Sequence, residues 1–147
     1  MLAELDRKVA QLTGFPESHQ EPLNVLRYNP GQEYVPHWDY IEEQGDMPCG
    51  GRIATVLMYL NALPDGAGGE THFLNMDVKC KPDVAGAALY WYNVHATGNA
   101  EEGLTPDERT LHAGLPVKAG CKFVCCKWIH PFPFRTDRDI LQPHDGD

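Results

Sequence analysis

The longest apolar run of the chain, Arg52-Ile-Ala-Thr-Val-Leu-Met-Tyr-Leu-Asn61, constrains the fold more than any other stretch. Its length and near-continuous apolar character predict a central strand buried on both faces. Pro64-Asp65-Gly66-Ala67-Gly68-Gly69 closes it as a turn. Other short runs with turn residues between them read as further strands: 23–28, the stretch around His37, 71–74, 87–93 and 122–130. Leu2, Leu5, Val9 and Leu12 recur at helical spacing, so residues 2–13 read as one amphipathic helix, stopped by Gly14 and Pro16. Many short strands after a single helix predict a mainly β, two-sheet architecture of jelly-roll type rather than βαβ units.

At 147 residues the chain fits one domain with a real core. The domain is expected over 1–135, with an exposed tail over 136–147. A formal net charge of −9 opposes a nucleic-acid partner, because phosphate binding needs Lys and Arg in excess. No apolar run approaches the roughly 20 residues of a membrane-spanning helix. The amino terminus lacks a signal pattern, which favours a cytoplasmic setting, although removal of an upstream targeting segment would leave the same sequence. Five cysteines, Cys49, Cys80, Cys121, Cys125 and Cys126, are an odd number without paired zinc spacings, which favours reduced thiols. Nothing in the sequence speaks to oligomeric state.

Two stretches read as loops. Residues 42–51 are acidic and glycine-rich, and are expected to form a mobile segment that could cover a nearby site. A second polar loop is expected from about 94 to 108.

The chemistry gathers on Tyr34-Val35-Pro36-His37-Trp38-Asp39-Tyr40. Residues two apart on a strand share a face, so His37 and Asp39 can direct an imidazole and a carboxylate to one point. His112, in Arg109-Thr110-Leu111-His112-Ala113-Gly114, is the best third ligand. Two histidines and one carboxylate on one face of an octahedral metal leave three positions open, the arrangement of non-haem iron(II) oxygenases. Such oxygenases draw two further electrons from a 2-oxo acid, whose distal carboxylate wants a buried cation. Lys122 suits that task, because residues 122, 124, 126 and 128 share one strand face and Lys122 and Trp128 then look into the same space.

The segments 26–40, 52–61, Gly-Gly-Glu-Thr-His-Phe (68–73), Thr-Leu-His-Ala-Gly-Leu-Pro-Val (110–117) and Gly-Cys-Lys-Phe-Val-Cys-Cys-Lys-Trp-Ile (120–129) together resemble the catalytic domain of prolyl 4-hydroxylases. The resemblance implies a double-stranded β-helix core and a dioxygenase that uses iron(II), 2-oxoglutarate and dioxygen, with ascorbate restoring oxidised iron. The implied reaction hydroxylates C4 of prolyl residues in a peptide or protein and gives 4-hydroxyproline, succinate and carbon dioxide. Position by position, it implies His37, Asp39 and His112 as iron ligands and Lys122 as the partner of the distal carboxylate of 2-oxoglutarate. It places Tyr28, Tyr59 and Thr71 near that cosubstrate, and Tyr34, Arg52, Trp128 and His130 toward the peptide. The short region between Thr71 and His112, and Phe73-Leu74 in place of a common Phe-Pro pair, bear on the shape of the peptide groove. The same scaffold could also hydroxylate another residue or a free amino acid, or serve as a non-catalytic peptide-binding module.

Overall fold

The structure is a computed structural model that describes residues 2–96 and 104–135. Helix α1 (Leu2–Thr13) is followed by ten strands: β1 (Asn24–Tyr28), β2 (Tyr34–His37), β3 (Ala54–Tyr59), β4 (Thr71–Phe73), β5 (Val78–Cys80), β6 (Ala88–Tyr92), β7 (Val94–Ala96), β8 (Leu104–Pro106), β9 (His112–Gly114) and β10 (Lys122–Ile129). One antiparallel sheet runs β1-β10-β3-β6 and a second β2-β9-β4-β5, with β7 and β8 as a separate pair. This is the two-sheet, mainly β architecture expected from the pattern, with the apolar run 54–59 as an inner strand of the first sheet.

The two faces of that sheet divide by residue parity. Ala54, Val56 and Ile129 form one core cluster with Val9 and Leu5 of α1. Leu57, Tyr59, Val124 and Cys126 form another, joined by Tyr28, Trp91 and Trp128. A cleft opens beside the second cluster, lined from the first sheet by Leu57, Lys122 and Trp128 and from the second by His37, Thr71 and His112. Helix α1 therefore supports the sheet from the side away from the cleft. Only the middle of its apolar stripe is used, since Val9 is 3% exposed but Leu2 and Leu12 are 47% and 59% exposed.

Several expectations change. β2 ends at His37, so Asp39 lies two residues beyond the strand that was to carry both ligands. The segment 42–51 holds a 3-10 helix over Glu42–Asp46, and its far end is packed, with Cys49 and Gly51 buried. The polar stretch 94–108 contains β7 and β8, paired Val94 to Pro106 and Ala96 to Leu104. Its residues 97–103, and the expected tail 136–147, lie outside the described residues. β5, which pairs with β4, has no apolar run to betray it. All five cysteines are free thiols. Among the described residues no helix is long and apolar enough to cross a membrane.

Candidate metal and 2-oxo acid site

Antiparallel pairing of β2 with β9 sets His37 directly opposite His112, so residues far apart in sequence become cross-strand neighbours. The ring centroids are 4.3 Å apart. Beyond the end of β2 the chain bends inward, and Asp39 is 6% exposed. Its Oδ1 lies 3.4 Å from His37 Nε2 and 3.9 Å from His112 Nε2. One ligand atom from each residue fits within a 4.8 Å span.

The remaining atoms of the triad are tied to the protein. His37 Nδ1 lies 2.9 Å from the Val35 carbonyl and His112 Nδ1 lies 2.8 Å from the Thr110 carbonyl. A carbonyl only accepts, so each Nδ1 carries a proton, and in the neutral ring Nε2 keeps its lone pair for a metal. Burial lowers the basicity of His112, only partly offset by Asp39 and the Thr110 carbonyl. At His37 burial is outweighed by Asp39 and the Val35 carbonyl, and its pKa rises. Burial also works against the Asp39 carboxylate, but the adjacent His37 and His112 side chains, with Thr55 and Trp128, hold its pKa below the ordinary value. The set is therefore biased toward an ionised carboxylate and, at His112, a neutral imidazole, which is the protonation a divalent metal needs. Phe73 and Trp91 pack on His112 with centroids at 5.6 and 5.0 Å and fix the plane of its ring.

Lys122 lies across the cleft at the start of β10, 3% exposed. Gly69 makes room for its stem: the backbone there has φ +75°, and a Cβ would fall 3.3 Å from Lys122 Cδ and 3.0 Å from Leu63 Cδ1. The ammonium sits 5.2 Å from the Tyr28 ring and 5.6 Å from the Tyr59 ring. Among the described residues no carboxylate lies within salt-bridge distance of it. Burial drops its pKa to about 8, with Cys126 and Glu70 offsetting only part of that. The other buried lysine of β10 is the useful contrast, because Lys127 Nζ is 2.7 Å from Asp6 Oδ1 and 2.7 Å from the Glu21 carbonyl. A buried ammonium facing a cleft without its counter-charge is suited to an anionic ligand from outside.

The other expected positions divide. Tyr28, Thr71 and Tyr34 line the cleft with the triad and Lys122, and Trp128 lines it from β10. Tyr59 stands one layer back, its hydroxyl 2.7 Å from Thr71 Oγ1 and 3.0 Å from the Cys80 carbonyl, so it braces Thr71 from behind. Arg52 does not line the cleft. Its guanidinium pairs with both oxygens of Glu21 and lies 3.8 Å over the Trp128 ring. His130 is fully buried, 2.7 Å from the Gly50 carbonyl and 3.0 Å from Glu21 Oε1, and it faces the interior instead of a peptide. The exposed aromatic residue of the cleft lining is instead Tyr34, 42% exposed.

Sequence reasoning missed Thr55, whose hydroxyl donates to Asp39 Oδ2, and Asn93, whose amide donates to Thr55 Oγ1. The signal was present for Thr55: a hydroxyl at a parity shared with Leu57 and Tyr59, inside an apolar strand.

The sequence pattern of the 2OG-Fe(II) oxygenase superfamily matches residues 23–130. The chain is 41% identical over 140 residues to prolyl 4-hydroxylase subunit alpha-3 of Rattus norvegicus, covering 90% of this chain and 24% of that one. It is 36% identical over 148 residues to probable prolyl 4-hydroxylase 6 of Arabidopsis thaliana, covering 88% and 49%. It thus spans between a quarter and half of these relatives' lengths. Among solved structures, the viral collagen prolyl hydroxylase vCPH from Paramecium Bursaria Chlorella virus-1, in a 2OG complex, superposes with a TM-score of 0.66 at 30% identity, covering 88% of this chain and 72% of that one. The histidine pair, the carboxylate between them and Lys122 stand within the matched span, and the chain belongs to the 2OG-Fe(II) oxygenase superfamily as a catalytic domain of prolyl 4-hydroxylase type.

Proposed function

We propose that this domain hydroxylates C4 of prolyl residues in a peptide or protein, with iron(II), 2-oxoglutarate and dioxygen as reactants and ascorbate keeping the iron reduced. The observation that carries the reading is the pairing, in one cleft, of a three-residue metal face with a buried, counter-charge-free lysine. His37, Asp39 and His112 would hold the metal, since one ligand atom of each lies within a 4.8 Å span, and the buried Lys122 lines the same cleft. When bound, iron and 2-oxoglutarate supply the activation of dioxygen, and succinate and carbon dioxide leave as coproducts.

The protein's own part is binding, orientation and exclusion of water. Lys122 holds the distal carboxylate, with Thr71 and Tyr28 beside it as hydroxyl donors and Tyr59 fixing Thr71. Leu26, Leu57, Val124 and Trp128 make the cleft walls apolar, and Phe73 and Trp91 pack against His112, so the lining limits access of water. Tyr34, half exposed and lining the cleft, presents an aromatic face there, which suits the extended form of a proline-containing chain. The prolyl specificity is supported by the names of the relatives, all of them prolyl hydroxylases.

Incubating the protein with iron(II), 2-oxoglutarate and a panel of proline-rich peptides tests the reading. Mass spectrometry should find one added oxygen on proline with stoichiometric succinate. Asp39→Ala should abolish both while the circular dichroism spectrum persists. Succinate production undiminished by Asp39→Ala would overturn the assignment.

A further inference from the structure

We infer that Thr55 is a positioning residue that restricts Asp39 to a single metal-facing oxygen, and that Asn93 fixes Thr55 in that task. The inference rests on the reading of the triad and Lys122 as a site for a metal and a 2-oxo acid.

Thr55 is fully buried on β3, and its Oγ1 lies 2.6 Å from Asp39 Oδ2. A threonine hydroxyl has one proton, and an ionised carboxylate can only accept, so that proton goes to Oδ2. The hydroxyl's lone pairs must then be satisfied by a donor. Asn93 supplies it: its Nδ2 is 3.0 Å from Thr55 Oγ1, nearer than its Oδ1 at 3.4 Å.

Asn93 is itself held, at the junction of β6 and β7, and is 1% exposed. Its amide side chain also reaches the Arg52 carbonyl at 3.3 Å. Its backbone N–H donates to the Ile53 carbonyl at 2.8 Å, and its own carbonyl accepts from Asp107 N–H at 2.9 Å. The hydrogen bonds therefore run in one direction, from Asn93 to Thr55 to Asp39. No acceptor competes for the Thr55 proton at comparable distance.

The consequence concerns the count of open coordination positions. Carboxylates bind metals through one oxygen or two. A face of two imidazoles and one carboxylate oxygen leaves three of six octahedral positions free. A chelating 2-oxo acid needs two of them and dioxygen the third, so a second oxygen from Asp39 would displace one reactant. With Oδ2 engaged by Thr55, only Oδ1 faces the two Nε2 atoms, at 3.4 and 3.9 Å. On this account Thr55 sets how the metal accepts its cosubstrate, and affects how tightly the metal is held much less.

Cobalt(II) is the probe, because its d–d absorption reports coordination number and needs no turnover. Cobalt(II) and then 2-oxoglutarate are titrated into wild type, Thr55→Val and Thr55→Ser. Thr55→Val should keep cobalt affinity within about threefold, change the d–d intensity, and weaken 2-oxoglutarate binding about 10- to 100-fold, the range of a lost hydrogen bond to a charged group. Thr55→Ser keeps the hydroxyl and should restore both spectrum and affinity. If the valine variant does not fold, Thr55→Ala against Thr55→Ser makes the same comparison of hydroxyl absent and present.

A hydroxyl-free variant with the wild-type spectrum and wild-type 2-oxoglutarate affinity would overturn the inference and leave the site reading intact. So would a variant that loses cobalt tenfold or more while its residual cobalt form binds 2-oxoglutarate normally. Wild-type protein that takes up neither cobalt nor 2-oxoglutarate would overturn the site reading and this inference with it.

Discussion

At the scale of single residues, the charge of Lys122 decides how the cosubstrate binds. Removing one partner of a buried charge-assisted pair costs about 3–5 kcal/mol, since the other is left unpaired. Lys122→Ala should therefore raise the 2-oxoglutarate requirement by roughly two to three and a half orders of magnitude, with iron or cobalt affinity in its absence little changed. Normal 2-oxoglutarate binding with weakened metal binding would give Lys122 a different job. The depressed pKa adds a pH signature. Below about 8 the free protein already carries the ammonium, and binding needs no proton. Above that, each binding event must take one up, so affinity should fall about tenfold per pH unit until the pKa of the bound form is reached. Lys122→Arg, charged throughout, should bind 2-oxoglutarate with no such fall, whatever its absolute affinity. A flat profile for wild type between pH 8 and 10 would show that the free ammonium titrates higher than the geometry indicates.

At the scale of elements, the strands that an apolar run announces were legible, and those that tertiary contacts impose were not. β3 and β10 carry their own burial pattern, whereas β5, β7 and β8 are three residues each and exist because a neighbour pairs with them. The same limit applies to Asp39. Strand parity gave the right meeting of His37 and Asp39, yet the chain reaches it through a bend after β2, and Thr55 and Asn93 supply the anchoring that a strand would not. The segment 42–51 read as loop because its acidic glycine-rich composition hides what pins it. Gly50 adopts φ +72°, and a Cβ there would lie 2.6 Å from Pro131 Cγ, so the segment's end is clamped against the chain beyond β10. Gly50→Ala should cost about 2–4 kcal/mol, combining left-handed strain with overpacking. Gly66 shares the backbone geometry at φ +77° with nothing within 4 Å, and Gly66→Ala should cost only about 1–2 kcal/mol. Urea denaturation of the pair checks this, and equal losses would mean that Pro131 yields freely and the clamp is not rigid.

At the scale of the whole molecule, β10 joins structure and function because it carries a buried lysine on each face. Strand parity and the family resemblance together assigned Lys122 to the cleft, but no sequence pattern shows that the counter-charge of Lys127 comes from α1. Asp6 of α1 lies 2.7 Å from Lys127 Nζ and 3.0 Å from Arg135 Nη2, and Arg135 also donates to the Glu17 carbonyl at 2.8 Å. The first helix, the segment before β1 and the chain after β10 are thereby tied to the face of the sheet that the cleft does not use. Asp6→Asn leaves Lys127, whose side chain is 1% exposed, without its carboxylate, and should destabilise the fold by about 3–5 kcal/mol. Replacing the buried pair together, Asp6→Leu with Lys127→Met, removes the uncompensated charge and should recover most of that loss, although Arg135 then has only the Glu17 carbonyl. Because the pair faces away from Lys122, neither folded variant should shift 2-oxoglutarate affinity by more than about twofold, as expected for well-separated sites. Urea unfolding and a 2-oxoglutarate titration on the same preparations separate the two roles. A double variant no more stable than Asp6→Asn would show that the loss does not come from an unpaired charge on Lys127. An unstable variant that also lost the cosubstrate while still folded would show that the two faces of β10 are coupled.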